Sequence, residues 1–546
     1  MDETRYVRRI NRRSSWFWIL SFRAISIQPL SEMVENDGLR AIPPAYPDMT
    51  MSKYQAASRH TLYRAGESGS VASSPPTTRS DRRRFDLGNQ SGFAQSGRLP
   101  VAIKLFLIGL VIPWILPLGS LNLSAYRIVL IVALLPCVAM WAQGKVGPIR
   151  IADIGLQLYS IWAALALAVI HGVGPGLQSG GMLFIEGTGA YLLARCYIRT
   201  AADFRNMIIF VIKLMMCLLP FALYEWMTGE KPLLVAFGTI FPTVEVTKMV
   251  PRMGLWRVQG PFSHSILFGV FCGSMLALTS LVASKKPSTR AFLVCLVGGT
   301  AVLSMSSAPI AGVVFQIALL TWNRLLRNFR GRWKLLWVFV LIGYLVVEFG
   351  SNQTPVQFYV SHFTFEQQTG WYRIWIWDYG SASVSNHPLF GIGLGDWERP
   401  SWMGSDSVDN FWLLTAMRYG LPAFLLMSLS WLFLWIAVAR RRGLDRTLRS
   451  YRTAYLICMA TFVFVGSTVH FWGATYAWFF FLGGSGVWLL DAVASPKEDT
   501  VPSGLIGNRA PSSRVAARRR GRPPLPQADR SPAWPLPPLS TPTSGD

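Results

Sequence analysis

Acidic residues and histidines are scarce in this chain: 28 Asp and Glu and 6 His among 546 residues, against 52 Lys and Arg. Charged residues together make up 15%, where a soluble globular protein carries about 25%, so an ordinary water-soluble enzyme is excluded. The six cysteines, Cys137, Cys196, Cys217, Cys272, Cys295 and Cys458, form no C-x-x-C pair. That excludes a zinc ribbon and a disulfide framework, and no metal site is expected; the cysteines sit in or beside apolar segments as small core- or lipid-facing residues. Residues 1–100 lack any long apolar run apart from a short patch at Trp16–Leu20, and the first strong run begins at Val101. No cleavable signal peptide is therefore expected.

What remains is an apolar middle between two polar tails. Residues 1–100 and 493–546 are rich in Arg, Ser, Pro and Gly, and stretches such as Arg518–Pro524 cannot bury enough apolar surface to order themselves. They read as disordered tails able to touch anionic lipid, and Met49 or Met51 is an alternative translation start. The net charge of +24 would suggest nucleic acid in a soluble protein; in a membrane protein it reads as basic loops kept in the cytoplasm, and no nucleic-acid partner is expected. A spanning helix needs about 20 mostly apolar residues. That rule places twelve spans near 101–119, 125–142, 151–171, 181–198, 203–226, 262–284, 289–305, 307–322, 333–349, 419–439, 453–470 and 472–492. The expected fold is an all-α polytopic membrane protein of about twelve transmembrane helices over 101–492.

With the N-terminal tail in the cytoplasm, the internal loops are Lys145–Arg150, Arg195–Arg205, Lys285–Arg290, Arg324–Lys334 and Arg440–Arg452, and each carries at least two Lys or Arg. The external connections Ser120–Ser124, His171–Gly181 and Phe471–Gly473 carry none. Basic residues cross membranes poorly, so this alternation supports both the span count and cytoplasmic termini. Two external segments are long, Met227–Pro261 and Gly350–Arg418, and helix packing alone does not require such length. Function concentrates on loops held by a rigid scaffold, which directs attention to that face. Among charges near spans, Glu186 and Lys213 are expected to pair with each other, because unpaired ions in hydrocarbon are costly.

The first long loop ends in Arg252, Arg257, Gly260, Phe262 and His264 at the start of a span. An arginine fork matches phosphate oxygens and stays charged; alternatively these arginines anchor the helix end at the lipid head groups. The second holds Gly370-Trp371-Tyr372-Arg373 and then His387-Pro388-Leu389-Phe390-Gly391-Ile392-Gly393-Leu394-Gly395. No strand–helix unit surrounds the G-x-G-x-G run, so it is not a dinucleotide motif; its glycines suit a tight turn and close backbone approach. The aromatics either belt the interface or stack on sugars. The loop closes with Asp409-Asn410-Phe411-Trp412-Leu413 and Arg418. A helix starting near Asp409 makes that residue its N-cap, the commoner role, or else a general base beside the arginines.

In order and spacing these segments resemble the O-antigen ligase and polymerase family of bacterial envelope glycan assembly, and within it the chain is most similar to exopolysaccharide polymerization proteins. The family pattern R-x-x-G-x-F-x-H matches Arg257 to His264, H-P-L-x-G-x-G-x-G matches His387 to Gly395, and H-N-x-x-L aligns with Asp409 to Leu413. The resemblance implies a periplasmic glycosyl transfer at a bacterial inner membrane, with an undecaprenyl-diphosphate-linked glycan donor, a glycan acceptor, no nucleotide sugar and no cofactor. Arg257 and Arg373 would hold the leaving diphosphate and Asp409, where relatives carry histidine, would be the base, its pKa raised by burial; His264 is the alternative base. Arg252, His264, His387, Asn410 and Arg418 would bind substrate. A chain-length regulator and a flippase are the expected partners. The competing readings are a lipid-linked oligosaccharide transporter without chemistry and a non-catalytic scaffold; no internal repeat of the transporter kind is visible.

Overall fold

The computed structural model describes residues 99–119, 121–350 and 367–492, with the side chains of 367–370 left aside. The expected tails lie outside the described residues. Helix dominates, and among the described residues seven segments are long and apolar enough to cross a bilayer: Ala125–Ala142, Ile151–His171, Ala201–Thr228, Ser265–Ala283, Ser307–Leu325, Arg332–Gly350 and Phe411–Arg440. The protein is an all-α polytopic membrane protein. Each of the twelve expected spans contains helix, but several are too short or too broken to count by length alone.

In chain order, α1 is Val101–Leu110, followed by a two-stranded antiparallel hairpin of β1 (Ile115–Leu118) and β2 (Leu121–Ser124), then α2 (Ala125–Ala142) and α3 (Ile151–His171). The first expected span thus stops after ten residues. Pro113 and Pro117 cannot continue a helix, and Leu118 is paired with Leu121 across the hairpin turn. Beyond α3, Gly172 adopts a positive φ of 83° and the chain re-enters helix at once as α4 (Val173–Phe184), a π turn at Ile185–Gly189 and α5 (Ala190–Tyr197). The expected connection His171–Gly181 is therefore mostly helix. Gly176 and Gly180 make this possible, since a Cβ on either would sit 2.3–2.6 Å from atoms of Ala168 or Ala164, so α4 packs backbone to backbone on α3. Small residues permit such approach in membranes.

The chain continues through α6 (Ala201–Thr228), α7 (Pro232–Gly238), α8 (Ser265–Ala283), α9 (Pro287–Val302), α10 (Ser307–Leu325) and α11 (Arg332–Gly350). The expected long loop 350–418 is not irregular throughout: it contains α12 (Gln367–Asn386), and α13 (Phe411–Arg440) begins eight residues before the expected 419. Ile376 and Val384 of α12 join Trp397, Met403, Val408, Leu413 and Met417 in a hydrophobic cluster of their own. That core holds α12 and the stretch 387–408 as a folded cap on the first half of α13. The chain ends with α14 (Arg446–Gly466), α15 (Gly473–Ser485) and a 3-10 turn at Val487–Leu490. Buried Phe479, Phe480 and Phe481 put α15 at the centre of the bundle.

Loops assigned to the same side meet one another. On one side, Ile115 N donates to Pro242 O at 2.7 Å and Val244 N to Pro113 O at 2.9 Å, while the Leu394 N–H donates to His171 Nε2 at 2.8 Å. On the other, Arg195 donates to the Val146 and Pro148 carbonyls, Arg150 pairs with Asp491 and Arg441 donates to Ala492 O. The intramembrane charges are also partnered, though not as expected. Glu186 pairs with Arg127 Nε at 2.8 Å and accepts the Tyr126 hydroxyl, whereas Lys213 is exposed. The π turn carries Glu186 against α2, and a π bulge of this kind is a frequent mark of a functional site.

Candidate functional site

The segment Arg252–His264 is built onto its surroundings through a buried carboxylate. Glu225, near the end of α6 and 2% exposed, accepts the backbone N–H groups of Gln259 at 2.7 Å and Gly260 at 2.9 Å and pairs with Lys231 at 3.3 Å. The Gln259 side chain extends the network to Lys231, Thr247 N and Glu245 O. Val258 N donates to Leu303 O, so the segment lies along the break between α9 and α10. There Arg257 Nη2 donates to Ser306 Oγ at 3.0 Å and Arg252 Nη1 to Met305 O at 3.2 Å. Met305 has φ 44°, a left-handed conformation costly for a side chain. The break and the arginines therefore hold each other.

His264 caps α8, its Nδ1 accepting the Ile266 N–H at 3.1 Å. Burial, then the positive charges of Arg257, Lys231 and Arg252, push its pKa down to about 4. With Nδ1 committed as acceptor, the neutral ring carries its proton on Nε2 and is a donor. It is badly suited to the alternative role of base.

The G-x-G-x-G segment is a clasp. Gly391, Gly393 and Gly420 all have positive φ (70°, 66° and 80°). Across the contact Ile392 N donates to Met417 O at 2.8 Å, Gly393 N to Arg418 O at 3.0 Å and Leu421 N to Pro388 O at 2.7 Å. These bonds satisfy backbone groups freed where α13 breaks at Gly420 and Pro422. Trp162 of α3 supports the clasp by stacking on Phe390 at 5.5 Å and donating to Tyr419 O at 3.1 Å. The expected turn and close approach are thus present. His387, expected to bind substrate, is exposed, and its carbonyl accepts the Gly391 N–H.

At the head of α13 the cap is Asn410, not Asp409: Asn410 Oδ1 accepts from Trp412 N and Leu413 N at 3.1 and 3.0 Å. That side chain, buried at 8% exposure, is committed to the helix rather than to substrate. Asp409 is half-buried, accepts the Ser407 hydroxyl and faces Arg373 at 3.8 Å. It does not occupy the apolar pocket expected of a buried base. Arg373 thus pairs with Asp409, which ties α12 to the start of α13. The aromatics of α12 form a partly exposed group, with Trp375 packed edge-on to Trp402 at 4.7 Å.

Between these parts lies a cavity of about 350 Å³, within the ~300–1,000 Å³ usual for ligand sites. Its wall contains Ser263, Arg418, His470 and Trp472, and further in Arg127 and Glu186. Trp472 links the cavity to the arginine segment, its ring 6.2 Å from that of His264 and stacked at 5.5 Å on His470. Of the eight expected site residues, Arg418 lines the cavity and His264 borders it through Trp472. Arg252 and Arg257 stand beside His264; Arg373, Asp409 and Asn410 form the neighbouring base of α13; His387 lies apart.

Sequence reasoning missed Glu225, Lys231, Arg127 and His470. Arg127, a charge inside an apolar run, was the readable signal among them; His470, at the end of an expected span, carried none.

Residues 291–428 match the family model described as O-antigen ligase. This stretch, about a quarter of the chain, is similar to the O-antigen ligase family. No curated protein matches the chain. The matched stretch runs from α9 to the first half of α13 and holds Arg373, His387, the glycine clasp, Asp409, Asn410 and Arg418. A match to O-antigen ligase within a bundle of apolar helices supports a membrane-bound role in glycan assembly.

Proposed function

We propose that this protein transfers a glycan from undecaprenyl diphosphate to a hydroxyl of an acceptor glycan. The transfer occurs at the periplasmic face of a bacterial inner membrane, with both termini cytoplasmic, and serves exopolysaccharide or O-antigen synthesis. The observation that carries this reading is the meeting of the arginine segment with the cavity: Ser263, next to His264, and Arg418 are in its wall, and the charges of Arg257 and Arg252 reach His264.

The leaving diphosphate gains negative charge in the transition state, so guanidinium groups already in place stabilise it more than the ground state. Bound to such groups, the donor would extend its lipid into the bilayer and its anomeric carbon into the cavity. An acceptor hydroxyl attacks that carbon, the bond from carbon to phosphate oxygen breaks, and the polyprenyl diphosphate leaves with the electron pair. A flippase would supply the donor to this face and a chain-length regulator would act on the product.

The test is Arg257→Ala in protein reconstituted with lipid-linked repeat units. Loss of one such electrostatic group costs about 10²–10³ in rate, and the variant should remain in the membrane while long glycans disappear. Normal chain length in that variant refutes the assignment. Formation of longer glycans by the purified wild-type protein separates it from a transporter, which would move the donor unchanged.

A further inference from the structure

The base that takes the acceptor proton is left open by Asp409 and His264: the first faces a guanidinium outside the cavity wall and the second is a helix cap with its Nδ1 in use. His470 stands differently. It lies in the short connection between α14 and α15, in the wall of the 350 Å³ cavity. Its ring is held on both sides, stacked on Phe411 at 6.2 Å and on Trp472 at 5.5 Å, and Phe411 N donates to the neighbouring Val469 O. Nδ1 is shut away from solvent without a hydrogen-bond partner among the described residues. The half-buried ring belongs to the cavity wall, and with Nδ1 shut away, Nε2 is the nitrogen left for a ligand there.

We propose that His470 is the catalytic base of the transfer proposed above, its Nε2 taking the proton of the attacking acceptor hydroxyl. The proposal rests on the glycosyl-transfer reading of this site. In the step, the acceptor oxygen forms the new bond to the anomeric carbon, its proton passes to Nε2, and the diphosphate leaves with the electrons of the broken bond. The Nδ1–H tautomer keeps the lone pair on the nitrogen that the cavity reaches.

The charges around His470 make this base conditional on donor. Burial, and then the Arg418 guanidinium, hold its pKa down to about 3, so before substrate binds the ring is neutral and a poor proton acceptor. The other ionisable groups of the same wall are Arg127 with Glu186, which neutralise each other, and the hydroxyls of Tyr126, Tyr159, Tyr419 and Tyr476; His264 lies across Trp472. A diphosphate beside Arg418 offsets the one charge that opposes an imidazolium and adds negative charge of its own, which raises the basicity of His470. Proton removal is thereby tied to the presence of a donor.

The experiment uses the full chain reconstituted with lipid-linked repeat units, comparing wild type, His470→Gln, His470→Ala and Asp409→Asn. General-base removal costs about 10²–10⁴ in rate. Both His470 variants should lose turnover by that factor with donor binding retained. Added imidazole should restore part of the rate in His470→Ala, which loss of a packing contact alone would not allow. Asp409→Asn should lose far less turnover than either His470 variant. Wild-type turnover in His470→Gln, or loss of turnover in Asp409→Asn alone, overturns the base assignment and leaves the transfer reading intact. Absence of turnover in the wild-type protein overturns both.

Discussion

Gly420→Ala tests whether the clasp builds the site. Gly420 has φ 80° and ψ 172°, a region that essentially only glycine occupies. A Cβ there would lie 1.9 Å from Leu389 O and 2.9 Å from Pro388 O. Both obstacles are backbone atoms of the facing segment, so no side-chain rotation relieves them. Either the strain is kept, at about 1–3 kcal/mol, or the clasp opens and its three backbone hydrogen bonds are lost, at about 0.5–1.5 kcal/mol each. Either way the loss is about 1–4.5 kcal/mol, concentrated where Arg418 is placed. Gly299→Ala is the control, an exposed helical glycine whose added Cβ meets nothing within 4 Å. Thermal unfolding of detergent-purified protein and glycan transfer in vesicles would be measured for both. Gly420→Ala should melt well below wild type and lose transfer, while Gly299→Ala should match wild type in both. Wild-type melting and activity in Gly420→Ala would show that the clasp does not bear on the site.

Glu225→Ala leaves two buried backbone N–H groups without their acceptor and the Lys231 ammonium without its counter-ion, so stability should fall by about 3–5 kcal/mol and transfer should be lost with it; Glu225→Gln, which keeps one acceptor oxygen, should fall between. Detergent melting curves and the vesicle assay decide the order of the three proteins. The pKa of His264 lies near 4 in the folded protein and about 6.5 when unfolded, so the unfolded state binds more protons in between. Its stabilising contribution is complete above pH 6.5 and is lost as pH falls toward 4, by ~3 kcal/mol. His264→Asn, which can still cap α8, should flatten that part of the melting-temperature profile, and an unchanged slope would refute the attribution.

How much of this was legible follows from what each feature depends on. The spanning segments were readable because hydrocarbon demands long apolar runs whatever the fold. The motif order was readable because glycines and arginines at fixed spacing serve local geometry, and the clasp at Gly391 and Gly393 matched the expected turn. Other elements escaped for identifiable reasons. Asp409 and Asn410 are adjacent and both good caps, so only the observed bonds separate them. Helix α12 carries Trp371, Trp375 and Trp377 among polar residues with no apolar stripe, and it owes its place to packing against α13. Glu186 was recognised as needing a partner, but Arg127 lies 59 positions away in sequence, and only the packing of α2 on the π turn unites them.

The positions of these buried carboxylates give the site its charge logic. Glu186 neutralises Arg127 within the cavity and Glu225 faces Lys231 beside it, while Arg257 and Arg252 donate to a serine hydroxyl and a backbone carbonyl. These bonds orient the two guanidinium groups, and low surrounding dielectric strengthens electrostatic interactions around them. The fold uses its few acids, Glu186 and Glu225 among them, to fix bundle and backbone. The same scarcity explains why a histidine can serve as base here. A carboxylate in the wall beside Arg418 would be held by it as Asp409 is held by Arg373, whereas a neutral imidazole stays free of that cation until a diphosphate answers it.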